Sequence, residues 1–370
     1  MTNGEKIRVL VADDSAFMRK VLVSILDSDG SFEVVGEARD GRETVEKAAR
    51  LQPQVITMDI NMPHMSGLQA TDVIMSTDPR PILIVSSESK DGAEATLRSL
   101  ELGAVDFVAK PTSGVDLDMS SVREELVRKL RTASKVRVVR NLLRPAAARV
   151  SRPDVPHAAP VKTYPASSAP GVSSRLPVAV LAASTGGPAT LMQLLPQFPE
   201  DFPGALLVVQ HMPGAFTAQF AEQLAAVTPL TVKHAENGDA LRAGHVYVCP
   251  GNCHMRLAPP GRIVLDDGPR IAGYRPNIDV TLESVAAQIA TGAVTAILTG
   301  MGNDGARGVM AIRENGGLVI AQDEATSVIF GMPSEAVKTG AVSQVLPLDQ
   351  IAAAITRRVT QQPSSRVASL

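Results

Sequence analysis

The sequence predicts an α/β protein with two doubly wound domains. The N-terminal domain is expected to have five parallel strands, and the C-terminal domain a mostly parallel sheet with an antiparallel hairpin. Three observations lead to this prediction. Short apolar runs alternate with helical patterns near the N-terminus, as in βα units. The same alternation returns at Leu176. Between them lies a segment rich in Pro, Ala and Ser, which cannot bury a core and is typical of a linker.

In the first domain, the apolar runs define the strands and helical patterns fill the gaps between them. Because crossover connections between parallel strands are right-handed, this order predicts a five-unit doubly wound domain. The predicted strands are Lys6–Ala12, Glu33–Ala38, Gln54–Asp59, Pro81–Ser86 and Val105–Ala109.

A basic stretch, residues 127–145, follows the first domain, and its Leu and Val residues recur at helical spacing. We expect the last helix to continue here with a solvated basic face, since charged helix faces are usually solvated rather than bound to membrane or nucleic acid. The predicted domains are therefore residues 1–130, a basic helix extension and linker at 131–175, and residues 176–370.

In the second domain, helical patterns follow several of the apolar runs. The region Tyr247–Asp266 has no intervening helix and is predicted to form the β-hairpin. The predicted strands are Leu176–Ala182, Ala205–Gln210, Leu230–His234, Val246–Cys249, Arg262–Leu265, Ala293–Thr299, Leu318–Ala321 and Val342–Leu346.

Composition restricts the function classes. A net charge of −2 gives no overall attraction to nucleic acid or membrane, and an aromatic content of 3% disfavours a base-stacking surface. The chain has two cysteines, Cys249 and Cys253, so a disulfide framework is not expected and a reducing compartment fits. The N-terminus has no signal-peptide pattern, and no uncharged apolar run is long enough to span a bilayer. We therefore expect a cytoplasmic protein that is not an integral membrane protein and does not bind nucleic acid.

Polar residues follow the predicted strands of the first domain. Asp13 and Asp14 come after the first strand, Asp59 ends the third, Ser86 ends the fourth, and Lys110 follows the fifth. Because ligands bind beyond the carboxyl ends of parallel strands, these groups are expected to converge. Three carboxylates suit Mg²⁺, and Asp59 could then attack a phosphoryl donor. Helix capping explains some of these residues singly but does not explain the joint pattern with the lysine.

Four segments of this domain, "VLVADDSAFMRK", "VITMDINMPHMSGL", "ILIVSS" and "GAVDFVAKP", resemble the receiver domain of response regulators. The resemblance covers roughly residues 5–125 and implies a flavodoxin-like fold. It further implies that Asp59 is the phosphoacceptor and that Asp13, Asp14 and Asp59 bind Mg²⁺. Ser86 and Lys110 would contact the phosphoryl group and change position with it.

The second domain places three further residue types after strands. Ser184 follows the first strand, His211 the second, and Asp304 lies in the glycine-rich loop after the strand at residues 293–299. Acyl transfer needs these types, because a serine becomes nucleophilic when a histidine takes its proton and a carboxylate orients the imidazole. The helix that begins near Pro188 would offer free N–H groups to an oxyanion. The turn is not a G-x-S-x-G elbow.

Other interpretations of these residues remain open. Ser184 or Thr185 could simply cap the helix, and the glycines could cradle a phosphate, although neither G-x-G-x-x-G nor a Walker A motif is present. His254 is the main alternative to His211 as the base. Asp279 is the main alternative carboxylate, although a helix cap suits it better.

A second cluster of metal-ligand types is His245, Cys249, Cys253 and His254. These residue types suit zinc, but C-x₃-C-H is not a standard ligand spacing. We expect ordinary packing and turn roles for them.

Six segments, "ASTGGP", "VVQHMP", "YVCPGNCHM", "RPNIDV", "LTGMGNDGARG" and "AQDEATSVIFGMPSEAV", resemble the catalytic domain of the chemotaxis protein-glutamate methylesterases, the response regulators called CheB. The resemblance covers roughly residues 176–357 and implies a Rossmann-like fold without a cofactor in this domain. It implies the triad Ser184, His211 and Asp304, with Thr185 and Met301 at the oxyanion or substrate pocket. Ala182 stands where members commonly have glycine.

The resemblance also implies a function. The chain would be a phosphorylation-activated esterase that removes γ-methyl groups from glutamates of methyl-accepting chemotaxis receptors, and deamidates receptor glutamines. A histidine kinase would be the phosphodonor, and the protein would be recruited to membrane receptor arrays. Two other classes remain: a response regulator whose second domain only binds a partner, and a DNA-binding regulator, although no helix-turn-helix pattern is present.

Overall fold

The computed structural model describes residues 6–87, 89–110, 116–136, 176–289 and 292–361. Its first domain is a five-stranded parallel sheet, as predicted, and the strand order is β2-β1-β3-β4-β5. The strands are β1 (Ile7–Ala12), β2 (Phe32–Ala38), β3 (Val55–Asp59), β4 (Ile82–Ser86) and β5 (Asp106–Ala109). The helices are α1 (Ala16–Asp29), α2 (Gly41–Leu51), α3 (Gly67–Thr77), α4 (Lys90–Glu101) and α5 (Asp116–Ala133).

Local signals set where the first-domain helices begin. The Ser15 hydroxyl accepts the backbone N–H of Met18 at the start of α1, and Asp40 accepts that of Glu43 at the start of α2. Such side-chain caps satisfy N–H groups that have no partner within the helix. Strands β3 and β4 are buried along their whole length, as expected for a sheet covered by helices on both faces.

The second domain is built on a seven-stranded sheet with the order β14-β13-β12-β6-β7-β9-β8, in which every neighbouring pair is parallel. Its strands are β6 (Val178–Ala183), β7 (Ala205–Gln210), β8 (Thr231–His234), β9 (His245–Val248), β12 (Ala293–Ile297), β13 (Leu318–Gln322) and β14 (Gln344–Leu346). Its helices are α6 (Gly187–Leu194), α7 (Gly214–Val227), α8 (Ile278–Gln288), α9 (Ala306–Glu314), α10 (Met332–Lys338) and α11 (Leu348–Thr360).

The antiparallel hairpin is a separate two-stranded sheet of β10 (His254–Ala258) and β11 (Arg262–Asp266). The hairpin was therefore predicted correctly, but its first strand begins later than Tyr247. Tyr247 lies in β9, which pairs in parallel with both β7 and β8 and so belongs to the large sheet.

Helix α5 ends at Ala133 and is followed by a turn at residues 134–135. Most of the predicted basic extension and linker, residues 137–175, lies outside the described residues. Within the parts of the chain that are described, no helix combines the length and the apolar character needed to cross a membrane.

The first domain packs against the second through α4, β5 and α5. Helix α4 contacts α6 and α7, and Phe107 of β5 places its ring centroid 4.4 Å from that of Phe216 in α7. Both rings are fully buried. Phe216 lies in the first turn of α7, shortly after the carboxyl end of β7.

Candidate active site

Three neighbouring strands carry the predicted triad. β6 lies between β12 and β7 in the large sheet, so their carboxyl ends share one edge. Ser184 directly follows β6, His211 directly follows β7, and Asp304 lies in the loop between β12 and α9. The structure joins two of these side chains, because His211 Nε2 lies 2.8 Å from Asp304 Oδ2.

Asp304 is held by the N-terminus of α8. Its Oδ1 accepts hydrogen bonds from Asn277 Nδ2 at 2.8 Å and from the Asp279 backbone N–H at 3.0 Å. Its Oδ2 accepts the Ile278 backbone N–H at 2.8 Å in addition to the contact with His211. These donors fix the orientation of the carboxylate. Sequence reasoning missed Asn277, although its position just before a helix that starts "IDV" is a signal for a cap.

The conformation of the turn after β6 explains why two glycines follow Ser184 and Thr185. Gly186 has a φ of +78°, and the Gly187 backbone N–H donates to the Ser184 carbonyl at 2.8 Å. A Cβ at Gly187 would lie 1.9 Å from Gln210 Oε1, so only glycine fits there. The N-cap of α6 is Gly186, without a side-chain cap bond, so neither Ser184 nor Thr185 caps this helix.

Ser184 and His211 line the same cavity, which has a volume of about 400 Å³. His211 Nδ1 is buried and has no hydrogen-bond partner among the described residues, and no hydrogen bond joins it to the Ser184 hydroxyl there. The structure therefore joins His211 to Asp304 through Nε2 and leaves Nδ1 without a hydrogen-bond partner among the described residues.

In the first domain, the predicted acidic cluster is present. Asp13, Asp14 and Asp59 place carboxylate oxygens within 4.8 Å of one another. Lys110 Nζ lies 2.8 Å from Asp13 Oδ2 and 2.9 Å from Asp59 Oδ1. Three carboxylates with one exposed member form an all-oxygen donor set that fits Mg²⁺. The Ser86 hydroxyl lies 3.4 Å from each of two backbone carbonyl oxygens that can accept its proton, those of Ser87 and Gly92.

The charges of this cluster affect one another. Burial, and the nearby Asp13 carboxylate, raise the pKa of Asp59 even though Lys110 opposes the shift. Burial opposes ionisation of Lys110, but the hydrogen bond to Asp13 and the charge of Asp59 raise its pKa overall. Lys110 is therefore positively charged and partly compensates the negative charge of the Asp13 and Asp59 carboxylates.

Known proteins resemble this chain over nearly its whole length. The CheB methylesterase family matches residues 179–355, and the response regulator receiver domain family matches residues 9–120. The protein-glutamate methylesterase/protein-glutamine glutaminase of Pyrococcus abyssi is 44% identical over 96% of this chain and 94% of that protein. The chain belongs to the CheB methylesterase family. The protein-glutamate methylesterase/protein-glutamine glutaminase of Thermotoga maritima is 42% identical over 93% of this chain and 96% of that protein.

Solved structures cover this CheB-family chain in two pieces. The Thermotoga maritima CheB methylesterase catalytic domain is 39% identical and covers 50% of this chain and 99% of its own, with a TM-score of 0.48. The response regulator domain of Thermotoga maritima CheB is 49% identical and covers 36% of this chain and 99% of its own, with a TM-score of 0.33.

In this CheB-family protein, His254 and Asp279, the alternative base and carboxylate, form hydrogen bonds with the backbone. His254 is buried, its Nδ1 accepts the Asn277 backbone N–H at 3.2 Å, and its Nε2 donates to the Pro269 carbonyl at 3.0 Å. Asp279 accepts the Gly308 backbone N–H at 2.7 Å, and burial raises its pKa. His254 therefore stabilises the backbone at Asn277, whose side chain binds Asp304, and the Asp279 side chain links α8 to α9.

The cysteine and histidine cluster does not form a metal site in the described residues, where the only group with metal-site geometry is the receiver's acidic cluster. Cys249 is buried, burial raises its pKa, and its Sγ lies 3.5 Å from the Pro250 carbonyl. His245 places Nδ1 2.9 Å from the Ala243 carbonyl. These contacts agree with the expected packing and turn roles.

Thr185 and Met301 both contact the receiver. The Thr185 hydroxyl donates a 2.6 Å hydrogen bond to Asp106 Oδ2, and Met301 Sδ accepts the hydroxyl of Thr132 in α5. The sequence predicted these residues at an oxyanion or substrate pocket, and it contained no sign of their contacts with the first domain. Asp106 is nearly fully buried in this interface.

A buried lysine completes the interface. Lys129 of α5 places Nζ 3.1 Å from Asp106 Oδ1 and 3.0 Å from Glu125 Oε1, and donates to the Phe107 carbonyl at 2.6 Å. Burial opposes its charge, but the Asp106 and Glu125 carboxylates raise the pKa of Lys129 overall. Sequence reasoning assigned this residue only to a basic helix face.

Both domains line the cavity beside Ser184. Helix α5 contributes Glu124, Glu125, Arg128 and Lys129, and the second domain contributes the remaining lining residues. Helix α5 of this CheB-family protein thus forms one wall of the space in front of the candidate nucleophile.

Proposed function

We propose that the chain is a phosphorylation-activated protein-glutamate methylesterase and protein-glutamine deamidase that acts on methyl-accepting chemotaxis receptors through Ser184, His211 and Asp304. As a CheB methylesterase, it is a carboxylic ester hydrolase. The observation that carries the proposed mechanism is the 2.8 Å contact between His211 and Asp304 beside Ser184 in one cavity.

Acylation begins when the Ser184 hydroxyl attacks the γ-carbonyl of the ester. Its proton passes to His211 Nδ1, because Nε2 is engaged with Asp304. Backbone N–H groups at the start of α6 stabilise the oxyanion. The tetrahedral intermediate then expels the methoxide, which takes the proton from His211 and leaves as methanol. The product is an ester between Ser184 and the receptor glutamate.

Deacylation repeats these steps with water. His211 removes a proton from a water molecule as the oxygen attacks the acyl carbon, and returns that proton to the Ser184 oxygen as the ester bond breaks. The receptor glutamate and free Ser184 result. With a glutamine substrate the same acyl-enzyme forms, and ammonia leaves in place of methanol.

The interface supports control by the receiver. Phosphorylation of Asp59 by a histidine kinase replaces a carboxylate of charge −1 with an acyl phosphate of charge about −2. Lys110 and Ser86 then move to the phosphoryl oxygens. Strand β5 connects Lys110 with Asp106, so this movement weakens the contact with Thr185 and opens the cavity to substrate. Domain opening needs only a few kcal/mol of difference between the two states.

Asp13, Asp14 and Asp59 would hold Mg²⁺ in the receiver. The ion would neutralise negative charge on a phosphoryl group attached to Asp59. In the same proposal the protein works in the cytoplasm and is recruited to membrane receptor arrays.

Methanol release from methylated receptor tests the function. We expect the wild-type chain to release methanol, a small phosphodonor to increase the rate, and Ser184→Ala to abolish it. Asp59→Asn should keep the basal rate and lose the stimulation. Full esterase activity in Ser184→Ala would refute the triad and favour a binding-only second domain, and equal stimulation of Asp59→Asn would refute the control by phosphorylation.

A further inference from the structure

Tyr274 lies flat against the proposed base. The ring centroids of Tyr274 and His211 are 4.2 Å apart, and the planes differ by 13°. We propose that Tyr274 is a positioning residue that holds the imidazole so that Nε2 stays on Asp304 and Nδ1 stays available to Ser184. The inference rests on the proposed function, in which His211 is the general base.

The backbone around Tyr274 is fixed by a tight turn. The backbone N–H of Tyr274 donates to the Ile271 carbonyl at 2.9 Å, and that of Ile271 donates to the Tyr274 carbonyl at 3.0 Å. The two residues between them, Ala272 and Gly273, have φ values of +50° and +85°. Turns with two left-handed central residues match the twist of the flanking strands, so this turn presents Tyr274 in a defined direction.

The other end of the tyrosine reaches the loop that carries Asp304. A Cβ at Gly302 would lie 2.6 Å from the Tyr274 hydroxyl oxygen, so Gly302, with a φ of +96°, leaves the space that this oxygen occupies. Tyr274 therefore spans from the ring of His211 to the Asp304 loop. All of these contacts lie within the second domain and do not depend on the receiver.

The imidazole needs such a support. One hydrogen bond to Asp304 holds one ring nitrogen but still permits small rotations of the ring about its Cβ–Cγ bond. Because His211 Nδ1 has no partner among the described residues, no second hydrogen bond opposes this rotation. A flat ring stacked on the imidazole restricts it, and aromatic pairs of this kind are favourable beyond their buried area.

Tyr274 also has a neighbour in the receiver, which provides a control. The guanidinium carbon of Arg128 lies 5.9 Å from the centroid of the Tyr274 ring. If Tyr274 served only to dock the receiver, its loss would raise the basal activity and leave the activated rate unchanged. Arg128→Gln removes the receiver's side of this contact without touching His211.

The experiment compares Tyr274→Leu, Tyr274→Phe and Arg128→Gln in the full-length chain, activated by a small phosphodonor. We expect Tyr274→Leu to lower kcat about tenfold at an unchanged KM, because a stacked aromatic pair is worth about this factor. Tyr274→Phe keeps the ring and should retain kcat, as should Arg128→Gln. An unchanged kcat in Tyr274→Leu, or a loss confined to KM, would overturn the inference, and so would an equal loss in Tyr274→Phe.

An activity-independent measurement separates this inference from the proposed function. In nitrogen-15 NMR of the histidine-labelled chain, with His211 assigned by comparison with His211→Gln, we expect one tautomer, protonated at Nε2, in the wild type and in Tyr274→Phe. Tyr274→Leu should show exchange between tautomers. The same single tautomer in all three would overturn the inference. A wild type without esterase activity would refute the proposed function alone.

Discussion

The hydroxyl of Thr185 in the second domain donates a 2.6 Å hydrogen bond to Asp106 in the first domain. Thr185 directly follows the proposed nucleophile, and both partners are buried. The other carboxylate oxygen of Asp106 is paired with Lys129. Asp106 begins β5, and Lys110 directly follows its end. A single strand therefore runs between the proposed phosphorylation site and the edge of the candidate active site.

Asp106→Asn should raise the rate of methanol release without a phosphodonor several-fold. The asparagine keeps the size of the side chain but loses the charge, and a hydrogen bond to a charged group contributes about 1.5–3 kcal/mol. The stimulation by a phosphodonor should shrink in proportion, because the domains are already more open.

Glu46→Gln is the matched control for this change. Glu46 is exposed on α2, which has no contact with the second domain among the principal element contacts, so this variant should behave as the wild type. If Asp106→Asn kept both the basal rate and the stimulation of the wild type, the contact with Thr185 would have no role in closing the domains.

Asp304→Asn should reduce turnover by about 10⁴-fold, by analogy with known Ser-His-Asp triads. The side chain accepts from donors on both oxygens, and an amide group cannot accept at its nitrogen. Turnover is measured as methanol release in the presence of a phosphodonor.

Asp279→Asn tests the alternative carboxylate in the same assay. Its side chain contacts the Gly308 backbone rather than His211, so the loss should be far smaller. Losses of the same size in Asp279→Asn and Asp304→Asn would reassign the carboxylate role.

Mg²⁺ should stabilise the receiver against thermal unfolding. A ligand at ten times its Kd adds about 1.4 kcal/mol to the free energy of unfolding, provided that it binds only the folded state. Asp14→Asn removes one oxygen ligand from the exposed side of the cluster and should reduce the shift in Tm. Asp27→Asn, at an exposed position on α1, should retain it. Equal shifts in Asp14→Asn and the wild type would place the ion elsewhere.

The difference in stability between Asp59→Asn and the wild type should depend on pH. Burial raises the pKa of Asp59 above 3.8, so the folded state binds the proton more tightly than the unfolded chain. The stability that this protonation contributes is present at low pH and is lost as the pH rises through the raised pKa. At pH 7 the ionised carboxylate therefore destabilises the receiver, and Asp59→Asn should unfold at a higher denaturant concentration in Mg²⁺-free buffer.

This stability difference should shrink as the pH falls towards 3.8. Asp27→Asn serves as the control, because its carboxylate is exposed. A difference that stays constant or grows at low pH would contradict the assignment to Asp59.

The two cysteines should differ in reactivity. Burial raises the pKa of Cys249, whereas Cys253 is partly exposed. Because the thiolate is the reactive form, iodoacetamide should label Cys253 first under native conditions and Cys249 only after unfolding. Labelling is followed by mass spectrometry. Protection of both cysteines by added zinc would revive the metal interpretation.

The sequence alone determined the strands and the residues that follow them. Apolar runs long enough for one strand predicted β7 at its observed bounds, and β1 and β3 to within one residue. Parallel strands end at a common edge, so the position of His211 after one strand and Asp304 after another was enough to predict their approach. The hairpin was less accurate, because local pattern does not show that Tyr247 pairs within the large sheet.

Tertiary structure alone decided the contacts around these residues. Asn277 and Tyr274 reach the site because α8 and the preceding turn pack beside the Asp304 loop. The sequence signals a helix cap at Asn277, but it does not show that either residue contacts the site. The contact of Asp106 with Thr185 joins residues 79 positions apart, on separate domains. Such a contact depends on how two surfaces fit together, whereas a buried strand depends on a short run of apolar side chains. Only the run of apolar side chains can be recognised in consecutive residues.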